Sequence, residues 1–409
     1  MGQSSDAAQS RSAGGRHQEN RRLGAEIGLI QLAEPSNRER PANGKSALLA
    51  LGFRPLYLLA GGYAALSVPL WAAQYAGWLP GASAALHAHE MLFGYTFAVI
   101  AGFLLTAVRA WTARPTPSGT ALAAIAGLWI AGRILALASL PGAALADAAF
   151  ALALAWGIGR PLVASGNRRN WFFIVLVLAF GAAGALFHAF PGRALVLGLD
   201  VVLFVIAVMA GRVVPSFTNN AIAGAAARRV QALEYAALGS ILALIGLDAL
   251  ALPVASVAFL AAILHAMRLA LWAPWATRNR PILWILHMSY AWVIVHLALR
   301  ALGEVGWVSP LLATHALTVG AIGGLTLGMM TRTARGHTAR PLKVGPWEIA
   351  AYVLVQVAAL VRVLLPLAFP GAYLVAVLIS AALWCAAFSI FTVVYYPILT
   401  CPRLDGEPG

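Results

Sequence analysis

Long apolar segments dominate this sequence and restrict what it can fold into. A helix of roughly 17–25 mainly apolar residues crosses the hydrocarbon layer of a bilayer. Because 61% of the 409 residues are hydrophobic and only 10% are charged, no single soluble core could bury so much apolar surface. We therefore predict an all-α polytopic membrane protein with about twelve transmembrane helices. They lie near residues 55–75, 88–108, 120–140, 143–160, 171–189, 194–211, 231–248, 252–272, 281–300, 308–330, 347–367 and 372–396.

Basic residues predict the orientation of these helices. Lys and Arg accumulate in cytoplasmic loops, and 22 of the 28 lie in the N-terminal tail, in the loops after even-numbered helices or at Arg403. The opposite loops hold only Arg193 and Arg300. Both termini are therefore expected in the cytoplasm. The net charge of +14 follows from topology, so no nucleic-acid partner is expected.

The chain divides into three predicted parts. Residues 1–45 are polar, mix both charges and lack a sustained apolar run, which is typical of a disordered cytoplasmic tail. Residues 46–400 form a single transmembrane domain, and residues 401–409 form a cytoplasmic C-terminus. The segment GRVVPSFTNN at 211–220 is expected to be a cytoplasmic loop without chemistry of its own.

The sequence also contains an internal repeat. A shift of 226 positions aligns residues 54–115 with 280–341 without a gap, pairs His89 with His315, and places one TARP segment on another. Three extra residues in the next loop restore the register, so that Arg133 matches Arg362. Helices 1–4 and 9–12 are thus predicted to form two parallel four-helix units, about 54–160 and 280–396, with 171–272 between them.

Several ionisable residues fall inside the predicted spans. A central Arg or Asp costs about 2.5–3.5 kcal/mol in a membrane helix, so ionisable residues in such helices usually mark function. The candidate metal ligands are His87, His89, His188, His265, His287, His296 and His315, and the candidate charge partners are Glu90, Arg133, Arg362 and Asp200.

The stretch ALHAHEMLFGY at 85–95 concentrates these groups. His87 and His89 are separated by about 200° on a helix, so either the turn is unwound or the two serve different partners. Glu90 beside an imidazole is typical of a carboxylate that orients a metal ligand. A hydrogen-bonded rim without metal is the alternative. Because the repeat pairs His89 with His315, we expect both imidazoles near one cofactor, for which haem iron and copper are suitable metals.

Two further features leave alternatives open. One face of the tenth predicted helix has no side chains, because it carries Gly320, Gly324 and Gly328. Such a face either packs closely on another helix or accommodates a flat macrocycle. Arg133 and Arg362 either neutralise carboxylates such as Asp200 or Glu90, or bind haem propionates. His265 and His287 mark either a second, inner site or hydrogen-bonded core positions.

The chain resembles the NnrS family. The resemblance rests on FRPLYLLAGGYAAL, LHAHEMLFGYTFAVIAGFLLTAVRAWTARP, GRVVPSFTNN, the HAMRLALW to RPILWILHMSYAW run, and HALTVGAIGGLTLGMMTRTARGHTARP. It implies a bacterial inner-membrane protein with haem and copper that takes part in the response to nitric oxide. It draws attention to most of the same histidines and to His337, but assigns no ligand.

We therefore predict a haem- and copper-binding protein that protects the cell against nitric oxide, with its metal site near His87, His89 and His315. Nitric oxide is the expected ligand and the lipid bilayer the expected surroundings. A secondary transporter without a metal, in which the intramembrane Arg and Asp residues line an alternating-access path, is the alternative. Signatures of soluble catalysis such as a Walker A motif or a GxSxG elbow are missing from the sequence.

Overall fold

The computed structural model describes residues 46–407 except residues 82 and 139, and the predicted tail at 1–45 lies outside the described residues. The described chain is helical and contains no strand. Its twelve helices are α1 Phe53–Tyr75, α2 Ala84–Thr112, α3 Gly119–Ala138, α4 Leu140–Ala164, α5 Phe172–Phe187, α6 Pro191–Ala221, α7 Gln231–Ala249, α8 Ala255–Leu271, α9 Pro281–Glu304, α10 Pro310–His337, α11 Pro346–Ala368 and α12 Tyr373–Thr400.

Eleven of these helices are long and apolar enough to cross a membrane, counted over the described residues, and α8 is a shorter apolar helix. The predicted all-α polytopic membrane architecture is therefore confirmed. The predicted loop at 211–220 is wrong, because α6 continues as a helix to Ala221. Its polar end looks like a loop in the sequence, but the Asn219 side chain pairs with the backbone of Ala227 at 2.9 Å in both directions.

The two copies of the predicted repeat share features that sequence identity does not explain. Within α2 the turn at Glu90–Thr96 is π-helical, and within α10 the equivalent turn at Ala316–Gly323 is π-helical as well. In the two TARP turns the equivalent residues Ala113 and Ala339 both adopt left-handed backbone conformations, with φ of 51° and 58°. These non-glycine positions are uncommon. The copies therefore share local backbone geometry as well as residues.

The glycine face of α10 packs on protein side chains. A Cβ atom on Gly320 would meet the Trp292 ring, and one on Gly328 would approach Ile285 at 2.9 Å. Both neighbours belong to α9, so the close helix packing is confirmed. The alternative of a macrocycle on this face is wrong, because α9 already covers it.

A cluster of aromatic rings locks α2 against its neighbours. Phe97 contacts Phe150 of α4 at 5.0 Å and Phe180 of α5 at 4.9 Å between ring centroids, and Phe93 contacts Phe180 at 5.0 Å. Edge-to-face pairs at such distances add about 0.5–1.5 kcal/mol each beyond area burial. This packing holds the first half of α4 and the end of α5 beside the histidines of α2.

Candidate metal centre

Residues from the first four helices converge on a buried group that we call the charged centre: Tyr63, His89, Glu90, Arg133 and Asp147. The Arg133 Nη1 donates to Glu90 Oε1 at 3.1 Å, and Nη2 pairs with Asp147 Oδ1. The Tyr63 hydroxyl donates to Glu90 Oε2. His89, Glu90 and Asp147 are only 1%, 5% and 4% exposed. One guanidinium therefore holds two carboxylates away from solvent.

Local backbone geometry makes this arrangement possible. Ser83 begins α2 by accepting a hydrogen bond from the Leu86 backbone N–H at 3.1 Å, and the π-helical turn begins at Glu90. Such turns are frequent at functional sites. Gly94, one turn further, has no side chain where the Arg133 guanidinium lies, and its carbonyl accepts the Trp129 indole N–H at 2.9 Å.

His89 lies between the two carboxylates, and its two ring nitrogens differ. Nδ1 lies 2.8 Å from Glu90 Oε1. Because a carboxylate accepts, this contact places a proton on Nδ1, and in the neutral imidazole Nε2 then carries a lone pair. Nε2 lies 3.1 Å from Asp147 Oδ2, and neither atom has a hydrogen-bond partner.

A third unpaired atom completes the candidate metal site. His188, directly after α5, has a ring centroid 4.9 Å from that of His89, and its Nε2 is also buried without a partner. Ligand atoms of His89, Asp147 and His188 all lie within 4.8 Å of one another. Ligands around a tetrahedral ion at about 2.1 Å are about 3.4 Å apart, so a small rotation of the side chains would close the set.

The charges favour a cation at this site. With His89 neutral, the two carboxylates and one guanidinium of the charged centre leave one negative charge in excess. Nε2 of His89, Oδ2 of Asp147 and Nε2 of His188 are all buried without a hydrogen-bond partner, which is unfavourable unless a cation or a proton lies between them. The arrangement can therefore bind a metal ion through two imidazoles and a carboxylate.

A separate space, which we call the histidine cavity, has a volume of about 510 Å³ and is mainly apolar. His87, His315 and Arg362 line it, and the His87 ring stacks on Trp71 with 4.0 Å between centroids. The His315 Nδ1 donates to the Leu311 carbonyl at 2.7 Å, and its Nε2 accepts from Arg362 at 3.1 Å. Arg362 Nη1 is buried without a partner.

The sequence comparison decides the family. Residues 47–403 match the family described as NnrS protein. The chain belongs to the NnrS family. No curated protein matches it in sequence. Membership in the NnrS family supports a membrane protein of the nitric oxide response.

The expected meeting of His89 and His315 does not occur in this NnrS protein. His89 faces Asp147 and His188, whereas His315 contacts Arg362 and lines the histidine cavity together with His87. The repeat predicts equivalent positions, but the partners in the two copies differ. His87 and His89 serve different partners, as one of the two sequence interpretations stated.

The other charge partners are resolved in part. Arg133 neutralises Glu90, as one alternative predicted. Asp200 is paired with Arg300 at 2.7 Å, so its expected pairing with Arg133 or Arg362 is wrong. Arg300 also contacts Asp248 and thereby ties α9 to α6 and α7. The sequence placed Arg300 in a loop, whereas α9 extends beyond it to Glu304.

The remaining histidines have protein partners. His265 Nδ1 contacts the Tyr290 hydroxyl at 2.6 Å, and its Nε2 contacts the Ala237 carbonyl at 3.3 Å. His287 Nδ1 donates to the Leu283 carbonyl at 3.1 Å. Its Nε2 lies 3.4 Å from the Trp272 carbonyl. Both are hydrogen-bonded core residues in this structure, which removes the reason for a second, inner site.

His296 Nδ1 donates to the Ala313 carbonyl at 2.8 Å, and its Nε2 is unpaired.

Sequence reasoning missed Asp147 and Tyr63 as site residues. Asp147 follows Arg133 by fourteen positions on the next helix, and an acidic residue within an apolar run was the available signal. Tyr63 carries no such signal, because tyrosines are ordinary in membrane helices.

Proposed function

We propose that this NnrS-family protein uses a metal ion held by His89, Asp147 and His188 to protect the cell against nitric oxide. The observation that carries the proposal is the convergence of three buried ligand atoms without hydrogen-bond partners. Imidazole and carboxylate ligands suit copper, iron and zinc. The family resemblance favours copper. A copper ion held by these residues would supply one-electron chemistry toward a small ligand.

The surrounding residues prepare the ligands. Glu90 accepts the proton of His89 Nδ1, which fixes the tautomer and raises the basicity of Nε2. Arg133 fixes the orientation of both carboxylates, so that Asp147 keeps its second oxygen free for an ion. The Tyr63 hydroxyl holds the outer oxygen of Glu90.

Haem fits the histidine cavity by the chemistry of its lining. The apolar walls suit a macrocycle, and the unpaired Arg362 Nη1 suits a propionate. His87 is the better candidate for an iron ligand, because Nε2 of His315 is already occupied by Arg362. Trp71 would orient the His87 ring by stacking.

A groove provides access for an uncharged molecule. It has a volume of about 600 Å³, is lined by Tyr63, Glu90 and Arg133 at its inner side, and opens between α1 and α3 beside the exposed side chains of Leu66 and Leu137. Apolar side chains at the outer surface of membrane helices face lipid. Nitric oxide dissolved in the bilayer could therefore reach the charged centre without crossing a polar barrier. We place the protein in the bacterial inner membrane with both termini in the cytoplasm, following the distribution of Lys and Arg.

The test is metal and optical analysis of the purified full-length chain. We expect His89→Ala, His188→Ala and Asp147→Asn each to lower bound metal at least tenfold. His265→Gln is the matched control, because it alters a buried imidazole whose nitrogens already have partners. Wild-type protein without metal, or variants that retain it fully, would refute the site. Bound haem that is lost in His87→Ala but retained in His89→Ala would separate the two positions.

The transporter alternative gains no comparable support. Arg133 and Asp200, which were expected to line a path, are each engaged in ion pairs between packed helices.

A further inference from the structure

The end of the bundle that carries the two TARP turns contains a second kind of site, which we call the basic cleft. It has a volume of about 470 Å³, and its charged and titratable lining residues are Arg109, Arg114, His337 and Arg403. Arg109 lies in the last turn of α2, at the opposite end of that helix from His89. The cleft therefore shares no residue with the charged centre or the histidine cavity.

A fully buried arginine adds charge to this cluster. Arg54 is 0% exposed, and its Nη1 donates to the carbonyls of Leu399 and Cys401 at 3.0 and 2.7 Å. Its Nε and Nη2 are buried without any partner. The charge of Arg54 is close enough to act on His337 and on Arg403, both of which line the cleft.

A second unpaired guanidinium lies nearby. Arg340, in the second TARP turn, also acts on Arg54, and its Nη1 is buried without a partner. Burial lowers the pKa of the Arg340 guanidinium, and the neighbouring charge of Arg335 acts in the same direction.

Two carboxylates at this end are already paired with other arginines. Glu348 pairs with Arg335 at 2.7 Å, and Asp405 pairs with Arg403 at 2.6 Å. Within residues 46–407, leaving aside 82 and 139, no ion pair joins a carboxylate to any of the other arginines of the cluster, which are Arg54, Arg109, Arg114 and Arg340. Arg54 is a fully buried positive charge that has no ion-pair partner among the described residues, and an anion bound in the neighbouring cleft would offset part of that cost.

We propose that the basic cleft binds a phosphate group, either in the headgroup of an anionic phospholipid or as free phosphate. A phosphate offers several oxygens to several guanidinium groups, and arginine binds it with paired hydrogen bonds. The cleft lies where α1 begins and α2 ends, which is the level of lipid headgroups for helices that span a bilayer.

The test uses the full-length protein, purified in detergent and freed of lipid. Its melting temperature is followed while phosphatidylglycerol or phosphatidylcholine is added, and separately with inorganic phosphate or chloride at equal ionic strength. The cleft variant is Arg109→Gln with Arg114→Gln. The matched control is Arg278→Gln with Arg280→Gln, which removes two exposed arginines before α9, at the same end but outside the cleft. Arg54 is left intact, because it also holds two backbone carbonyls.

We expect phosphatidylglycerol, but not phosphatidylcholine, to raise the melting temperature of the wild type. The half-saturating concentration should rise at least tenfold in the cleft variant and stay within twofold in the control. An equal stabilisation by millimolar inorganic phosphate would identify free phosphate as the ligand, whereas stabilisation by the lipid alone would identify the headgroup. The proposal is overturned if neither stabilises the wild type above its matched reagent, or if both double variants weaken binding equally.

Discussion

Removing the guanidinium of Arg133 should be among the most damaging single changes at the charged centre. It contacts Glu90 at 3.1 Å and also Asp147, and both carboxylates are at least 95% buried. Breaking a buried ion pair by removing one partner costs about 3–5 kcal/mol. At about 2 °C per kcal/mol, the lower end of the range for larger domains, Arg133→Gln should lower the melting temperature by about 6–10 °C.

The assay is thermal unfolding of the chelator-treated full chain in detergent, followed by the fluorescence of its 13 tryptophans. Asp147→Asn supplies the second side of a double-mutant cycle. In that background Arg133→Gln should cost at least 1 kcal/mol less, because one of the two buried charges that it strands is already gone. Shifts that add within about 0.5 kcal/mol would refute the reasoning, since two residues in direct contact should not act independently.

Three further outcomes are expected from the same measurements. Gly94→Ala should lower the melting temperature by the equivalent of about 1–3 kcal/mol, because its Cβ would occupy the position of the Arg133 guanidinium. The control Gly239→Ala meets no atom within 4 Å and should be neutral or stabilising; equal losses in both would contradict this. Tyr290→Phe should cost about 1–3 kcal/mol because His265 Nδ1 and Arg268 Nη1 both lose the Tyr290 hydroxyl, yet metal content should not change. A chelator should lower the melting temperature of the metal-loaded wild type but not that of Asp147→Asn, which lacks the ligand carboxylate. An identical response in both proteins would contradict the metal site.

The architecture was accessible from the sequence because apolar runs of membrane length leave few alternatives. The repeat was accessible for a different reason. Matches at His, Arg and Pro stand out against an Ala- and Leu-rich background. They paired His89 with His315, and each of these residues directly precedes a π-helical turn in the structure. The ends of helices were harder, as α6 shows, because polar residues that cap a helix resemble those of a loop.

The composition of the charged centre was not accessible in the same way. Whether Asp147 or Asp200 faces Arg133 depends on the rotation of each helix about its axis, which a nearly uniform apolar sequence does not specify. The π-helical turn at Glu90 changes that rotation locally, and no residue pattern in EMLFGYT indicates it. The sequence repeat predicted that His89 and His315 would have the same neighbours. Those neighbours are side chains of other helices, and the repeat did not preserve them.

The shared π-helical turns suggest how the two halves came to differ. If one ancestral four-helix unit was duplicated, the widened turn was present before the duplication, and the acidic residues became restricted to one descendant. The positions equivalent to Glu90 and Asp147 are Ala316 and Ala376, both fully buried. The second unit thus retains the basic residue without its acids.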